Sequence, residues 1–430
     1  MNTTVKAVIR VSGGNFLEMY TFMVFGYYAS AIGAAFFPSG NEFASLMLAL
    51  MTFGVGFLMR PLGAIVLGAY ADKHGRRAGL LMTSSLTSIG IVSIAFVPGY
   101  ASIGFVAPLI VLSGRLLQGF SAGMQLGGVS VYLSEIARPG HKGFYVSWQS
   151  ATQQAAVVLA ALLGVLLNAR LAPEAMHEWG WRVPLLVGCA VIPFLFALRL
   201  SLEETGEFLA RRTHLTTSAV LHSLAANARL IAVSTMLVMM TTVSFYMITA
   251  YTPTFGSAVL NLSNFDSLLV TLCVGLSNLI WLPIMGAASD RVGRRPLLIA
   301  STVLMLGSAY PVMRSLVDAP SFSKLLAVEL WFSFLYASYN GAMVVFLTEI
   351  MPIDFRTAGF SLAYSLAAGV FGGFTPAVST YLIHVTGNRA IPGVWLSFAA
   401  GCGLVAAILA NPWSHETISR AREPTRAPAA

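Results

Sequence analysis

A ten-residue pattern, Gly-x-x-x-Asp-x-x-Gly-Arg-Arg, occurs twice in this chain, as GAYADKHGRR from Gly68 to Arg77 and as GAASDRVGRR from Gly286 to Arg295. Its two aspartates, Asp72 and Asp290, stand 218 positions apart, about half of the 430 residues. A second pair of runs, GGVSVYLSE (Gly127 to Glu135) and GAMVVFLTE (Gly341 to Glu349), matches at an offset of 214. Elements that repeat in the same order at nearly the same spacing mark an internal duplication, so the fold has to be assembled from two similar halves.

What each half is made of follows from the runs between the motifs. Hydrophobic residues make up 57% of the chain and charged residues 10%, far outside the soluble range. A helix needs roughly 20 apolar residues to cross a bilayer, and about twelve such segments fit, separated by short polar joints. The expected fold is an all-α membrane protein, with twelve transmembrane helices in two six-helix pseudo-symmetric bundles. The division reads as a first bundle over 1–201, a linker over 202–228, a second bundle over 229–411 and a tail over 412–430. The most polar stretch, Arg199 to His214, reads as a surface helix within that linker. No joint is long enough to house separate chemistry. Neither a nucleotide loop, a nucleophile constellation nor metal-ligand spacing is apparent, so no enzyme, cofactor or metal is expected. Cys189, Cys273 and Cys402 lie in apolar runs and read as buried packing residues.

The formal charge of +8 invites a nucleic-acid reading, which the positions of the basic residues exclude. With both termini on the cytoplasmic side of a cell (inner) membrane, about eighteen of the 25 lysines and arginines fall on that side. Only Arg170, Arg182, Arg314, Lys324 and Arg389 fall outside. That asymmetry is the positive-inside rule, so the basic balance reports topology.

Arg60 and Arg115 are left inside the membrane, where charge is costly and marks function by default. Arg60 precedes Asp72 by twelve residues, which at ~1.5 Å per residue is about 18 Å, near mid-membrane. Arg115 lies twenty residues before Glu135, somewhat further in. Two forked guanidiniums facing a cavity suit a ligand with several carboxylates; the other reading of Arg60 is as a structural partner of Glu18. Applying the 214 offset to Arg115 lands on Glu329. That glutamate either meets Arg115 in the cavity and takes part in proton coupling, or hydrates at the outer surface near Lys324.

Several runs carry a family resemblance: SGNFLEMY (Ser12 to Tyr20), FLMRPLGAIVLGAYADKHGRR (Phe57 to Arg77), GRLLQGFSAG (Gly114 to Gly123), GGVSVYLSEIARPGHKGFYVSWQS (Gly127 to Ser150) and NGAMVVFLTEIMP (Asn340 to Pro352). With the duplicated loop motif they resemble the major facilitator superfamily, and within it the metabolite:proton symporters. Among these the chain is most similar to the citrate and tricarballylate symporters, from near residue 9 to near 408. The resemblance implies a monomeric secondary transporter in a lipid bilayer that imports a tricarboxylate with protons, by alternating access. Where those symporters typically carry an Asp and a Glu, this chain has Thr21 and Gln125, which leaves Glu18 as the first proton carrier. Uncoupled transport and a different organic anion, a dicarboxylate or an aromatic acid, stay open. So do a drug-efflux antiporter, although the Gly-Pro-Gly-Gly type signature is absent, and a transporter-like sensor.

In such a frame Asp72, Arg76, Arg77 and Glu135, with their counterparts Asp290, Arg294, Arg295 and Glu349, would latch the halves on the cytoplasmic side and release as the carrier rocks. Neutral polar residues complete the expected cavity: Asn15, Gln118, Gln149, Gln153, Tyr246, Tyr339 and Asn340, with Gln154, Thr241, Thr242, Tyr251 and Asn278 beside them. The glycines of the fourth segment, Gly119, Gly123, Gly127 and Gly128, read as close-packing positions, and the aromatic stripe Phe22, Phe25, Tyr27 and Tyr28 as packing.

Overall fold

The computed structural model describes residues 14–200, 217–352 and 355–410, apart from Gly75 and Met124. The surface helix expected at Arg199 to His214 and the tail lie almost wholly outside these residues. Twelve helical segments run through the bundle. They are α1 (Gly14–Tyr27 and Ala29–Phe36), α2 (Glu42–Leu58, resuming at Arg60–His74), α3 (Arg76–Phe96), α4 (Val106–Ala122 and Gln125–Glu135), α5 (Lys142–Arg170) and α6 (Arg182–Leu200). The second set is α7 (Ala228–Val259), α8 (Asn264–Val292), α9 (Arg294–Asp318), α10 (Phe322–Ile350), α11 (Arg356–Thr386) and α12 (Pro392–Leu409). Among the described residues nine of these are long and apolar enough to span a membrane unaided. The remainder are α1, bent by 73° at Tyr28, and the shorter apolar α3 and α6.

Lipid offers no partner to a bare amide, so every span is helical, and helices in lipid pack through small residues that let backbones touch. The seam between α5 and α8 shows this. A Cβ on Gly286 would lie 2.5 Å from the Gly143 carbonyl oxygen, and one on Gly275 would lie 2.9 Å from Val158. Inside the first half, α2 and α4 meet the same way: a Cβ at Gly119 or Gly123 would strike the carbonyl oxygens of Gly56 and Arg60. Both glycines are thus packing positions as expected. Gly127 instead faces Ser361 of the other half, and Gly128 faces open space, so the latter needs no glycine for contact. The three cysteines are half-buried rather than buried, and free.

The duplication is visible as a pseudo-two-fold. Ser134 and Thr348, 214 positions apart, meet through their hydroxyls at 3.5 Å across the halves. Regular helix gives way within three of the spans, α1, α7 and α11. Besides the α1 bend, α7 carries π-helical turns at Met247–Tyr251 and Phe255–Val259, and α11 one at Ala368–Gly372. Broken spans of this kind are where transporter folds place their binding sites.

Candidate binding site

Helices α1, α2 and α4 bring two arginines into the middle of the bundle. Arg115 is fully buried and Arg60 is 2% exposed. The glycine contacts set this up, since Gly56 and Gly119 let α2 and α4 touch beside the residues from which both guanidiniums project. Arg60 Nη2 donates to Glu18 Oε1 at 3.3 Å, which realises the reading of Glu18 as its partner. Arg115 has no carboxylate partner among the described residues. Its Nη1 donates to Gln118 Oε1 at 2.7 Å and its Nη2 to the Phe53 carbonyl at 3.4 Å. The Nε of each arginine is buried without a hydrogen-bond partner.

Aromatic rings fill the space that acids would otherwise occupy. The Arg115 guanidinium carbon lies 4.2 Å from the Phe22 ring centre and 4.6 Å from that of Phe25; that of Arg60 lies 4.4 Å from Phe57. Rings at this range hold a cation electrostatically, more strongly where water is excluded. Phe22 and Phe25 therefore do more than pack, and the sequence reading is corrected here: their spacing on one face of α1 could have been matched to the arginines. The other half closes the box. Tyr246 on α7 sets its ring 5.0 Å from Phe57 and 5.9 Å from Phe53. Tyr246 and Tyr364, the latter unforeseen from sequence, lie within electrostatic reach of Arg60.

Other expected residues make no hydrogen bond to the arginines among those described, or lie outside view. The side chains of Asn15, Asp72, Arg76, Arg77 and Gln125 lie outside those described. Tyr339 donates to the Leu237 carbonyl at 2.8 Å, so its hydroxyl ties α10 to α7 and does not face the arginines. Glu329 is buried and takes a hydrogen bond from Thr252 at 3.0 Å; it neither hydrates at the surface near Lys324 nor pairs with Arg115. Gln149 accepts from Ser150, with its Nε2 unpaired, while both amide atoms of Asn340 are buried without partners. Gln153 is buried, and Gln154 bridges the halves to Asn278 at 3.4 Å. Thr242 bonds to backbone carbonyls, the Thr241 hydroxyl is unpaired, and Tyr251 accepts from Thr380.

At the end carrying the repeated motif, Asp290 accepts from the amides of Gly143 and Phe144 at 2.8 and 3.0 Å. A carboxylate of the second half thus caps the N-terminus of α5 in the first, where the helix dipole and open amides favour an anion. Arg294 holds Asp290 at 2.7 Å and forks onto Glu349 at 3.3 and 3.4 Å. Arg295 stands outside this group and donates to the Ala407 carbonyl within its own half, and Glu135 is exposed. At the opposite end the halves also meet, with the Phe43 and His384 rings stacked at 3.9 Å. The halves therefore touch at both ends of the bundle.

Residues 6–230 and 216–420 match the family described as sugar (and other) transporter. The chain is 58% identical to the citrate-proton symporter of Klebsiella pneumoniae, over 94% of its length and 90% of that protein. The chain belongs to the major facilitator superfamily. A citrate-proton symporter of Salmonella typhi is likewise 58% identical, over 94% of this chain and 93% of that one. Among solved structures, a D-xylose-proton symporter superposes with a TM-score of 0.77 at 19% identity, covering 97% of this chain and 99% of that one. This major facilitator is a multi-pass membrane transporter and not an enzyme.

Proposed function

We propose that this chain imports a tricarboxylate, citrate or tricarballylate, together with protons, by alternating access. It acts as a monomer in the cell (inner) membrane, with the motif end and both termini cytoplasmic. The observation that carries the reading is Arg115: a fully buried guanidinium with no described acid beside it and a free Nε. A buried cation without a counter-charge is costly, and a ligand carboxylate supplies the charge and the forked geometry together. The 58% identity to symporters named for citrate and protons supports the choice of ligand.

In this reading one carboxylate of the ligand takes Arg115 and a second takes Arg60 in place of Glu18. Glu18, parted from its cation in a dry site, takes up the coupled proton and gives it back when the ligand leaves. That division of labour needs neither of the acids replaced by Thr21 and Gln125. The unpaired amides of Gln149 and Asn340, with Gln153, serve the remaining ligand oxygens, and Tyr246 closes the site from the second half. One chain contains the whole arrangement, which is why no second copy is invoked. Competition against labelled citrate uptake by tricarballylate, dicarboxylates and aromatic acids tests the ligand. Tricarballylate should compete best, and a dicarboxylate competing better than either tricarboxylate would overturn the assignment.

The Asp290 cap, with Arg294 and Glu349, latches the motif end. Asp290→Asn removes the charge at the α5 terminus, worth up to about 2 kcal/mol in a partly buried setting. A shift of that size changes a two-state balance by a factor of roughly 5–30. The maximal transport rate is expected to fall more than citrate affinity; an affinity loss at unchanged maximal rate would contradict the latch. The same split is expected for Asp72→Asn.

A further inference from the structure

Four charged side chains are buried among the described residues, Glu18, Arg60, Arg115 and Glu329, and their charges sum to zero. Three of them form the box described above, and Glu329 is the one left without a role. It stands on α10 at the position related to Arg115 on α4 by the 214 offset, so the duplicated halves carry opposite charges at equivalent points. One carboxyl oxygen accepts from Thr252, and the other is buried without a partner. Thr252 lies between the two π-helical turns of α7.

No cation answers Glu329 from the elements around it among the described residues. On its own helix Lys324 is half-buried and its ammonium donates to the Ser315 carbonyl, away from Glu329. Arg314 and Asp318 on α9 pair with each other in the open. Asp266 at the start of α8 is half-buried, and Arg170 at the end of α5 and Glu135 on α4 are exposed. Arg389 donates to the Val259 carbonyl, and the Tyr251 hydroxyl on α7 is held by Thr380.

Building on the reading of the chain as a citrate-proton symporter, we propose that Glu329 is a second proton site, filled in step with Glu18, so that the carrier takes citrate as its dianion with two protons. The charge balance carries the argument. Unloaded, the two buried guanidiniums are matched in number by two buried carboxylates, and the buried sum is zero. Loaded with a dianion and with both carboxyls protonated, the two guanidiniums face two ligand charges and the sum is again zero. With Glu18 alone protonated, the loaded carrier would cross with one negative charge stranded in hydrocarbon, which membrane interiors resist. Glu329 therefore lets both crossing forms be neutral, and the imported dianion with two protons carries no net charge.

The test is charge movement per labelled citrate in proteoliposomes, with the membrane potential set by potassium and valinomycin. Wild type is expected to move no net charge and to import at the same rate with and without an interior-negative potential. Glu329→Gln should lose one proton per turnover, carry one negative charge inward with each citrate and slow when the interior is negative; Glu329→Asp should behave as wild type. Citrate-dependent thermal stabilisation checks that the glutamine variant is folded and binds. Net charge movement by wild type overturns the inference without any variant. So does neutral uptake by Glu329→Gln, or a folded Glu329→Gln that no longer binds citrate. A wild type that takes up no citrate overturns the transport reading itself, and this inference with it.

Discussion

Arg115→Ala is expected to abolish citrate uptake at concentrations that saturate the wild type, while the protein still folds. Losing one member of a buried, hydrogen-bonded charge pair costs about 3–5 kcal/mol, and each 1.4 kcal/mol is tenfold, so affinity should fall by roughly two to three and a half orders of magnitude. Because Arg115 meets no carboxylate in the described protein, and only Gln118, a backbone carbonyl and three phenylalanine rings, its removal strands no acid. Thermal stability should hold or rise. Arg115→Lys keeps the charge but gives up the fork and the flat contact with Phe22, and should recover only part of the loss. Citrate titration calorimetry on the detergent-solubilised protein, beside its melting temperature, reads both effects. Near-native citrate affinity in Arg115→Ala would remove the guanidinium from the site.

Gly119→Val is expected to damage the protein more broadly, through packing alone. A side chain at this position would run into the carbonyl oxygen of Gly56, which is backbone in the middle of α2 and cannot turn aside. Overpacking of a well-filled interface costs about 1–3 kcal/mol and sometimes more. The functional cost should exceed it, because α2 and α4 must separate and the two guanidiniums separate with them. A misplacement of about 1 Å in a positioned site is enough for a 10²-fold loss. Gly128→Val, one helical face away in open space, is the control and should be close to silent. Melting temperature and uptake measured together check the pair. Equal tolerance of both substitutions would show that α2 and α4 do not depend on this contact.

Much of this architecture was legible from the chain. Hydropathy marks the spans because lipid leaves an amide no partner outside a helix, and the repeated loop motif marks the halves because duplication preserves spacing. Arg60 and Arg115 were conspicuous because charge is rare where they lie. Less could be read about which group answers which. Glu18 rather than a ligand holds Arg60, and that pairing depends on the rotation of α1 against α2, which spacing alone does not set. Phe22 and Phe25 passed for packing because a phenylalanine in a membrane helix usually is; only the guanidiniums above them give the rings another role. Sequence leaves Glu329 between two readings, the surface by way of Lys324 five positions away and the cavity by way of the 214 offset to Arg115, whereas the helix carries it inward to Thr252. That partner sits in a break of α7 whose π-helical turns have no strong sequence signal, since Thr252-Pro253 reads equally well as an ordinary kink.

Accumulation of labelled citrate in proteoliposomes under an inward proton gradient tests the central claim most directly. The account predicts internal citrate above the external concentration, collapsing to equality when a protonophore is added and absent in Arg115→Ala. Citrate that only equilibrates, at an initial rate indifferent to the gradient, would contradict proton coupling and leave a facilitated carrier.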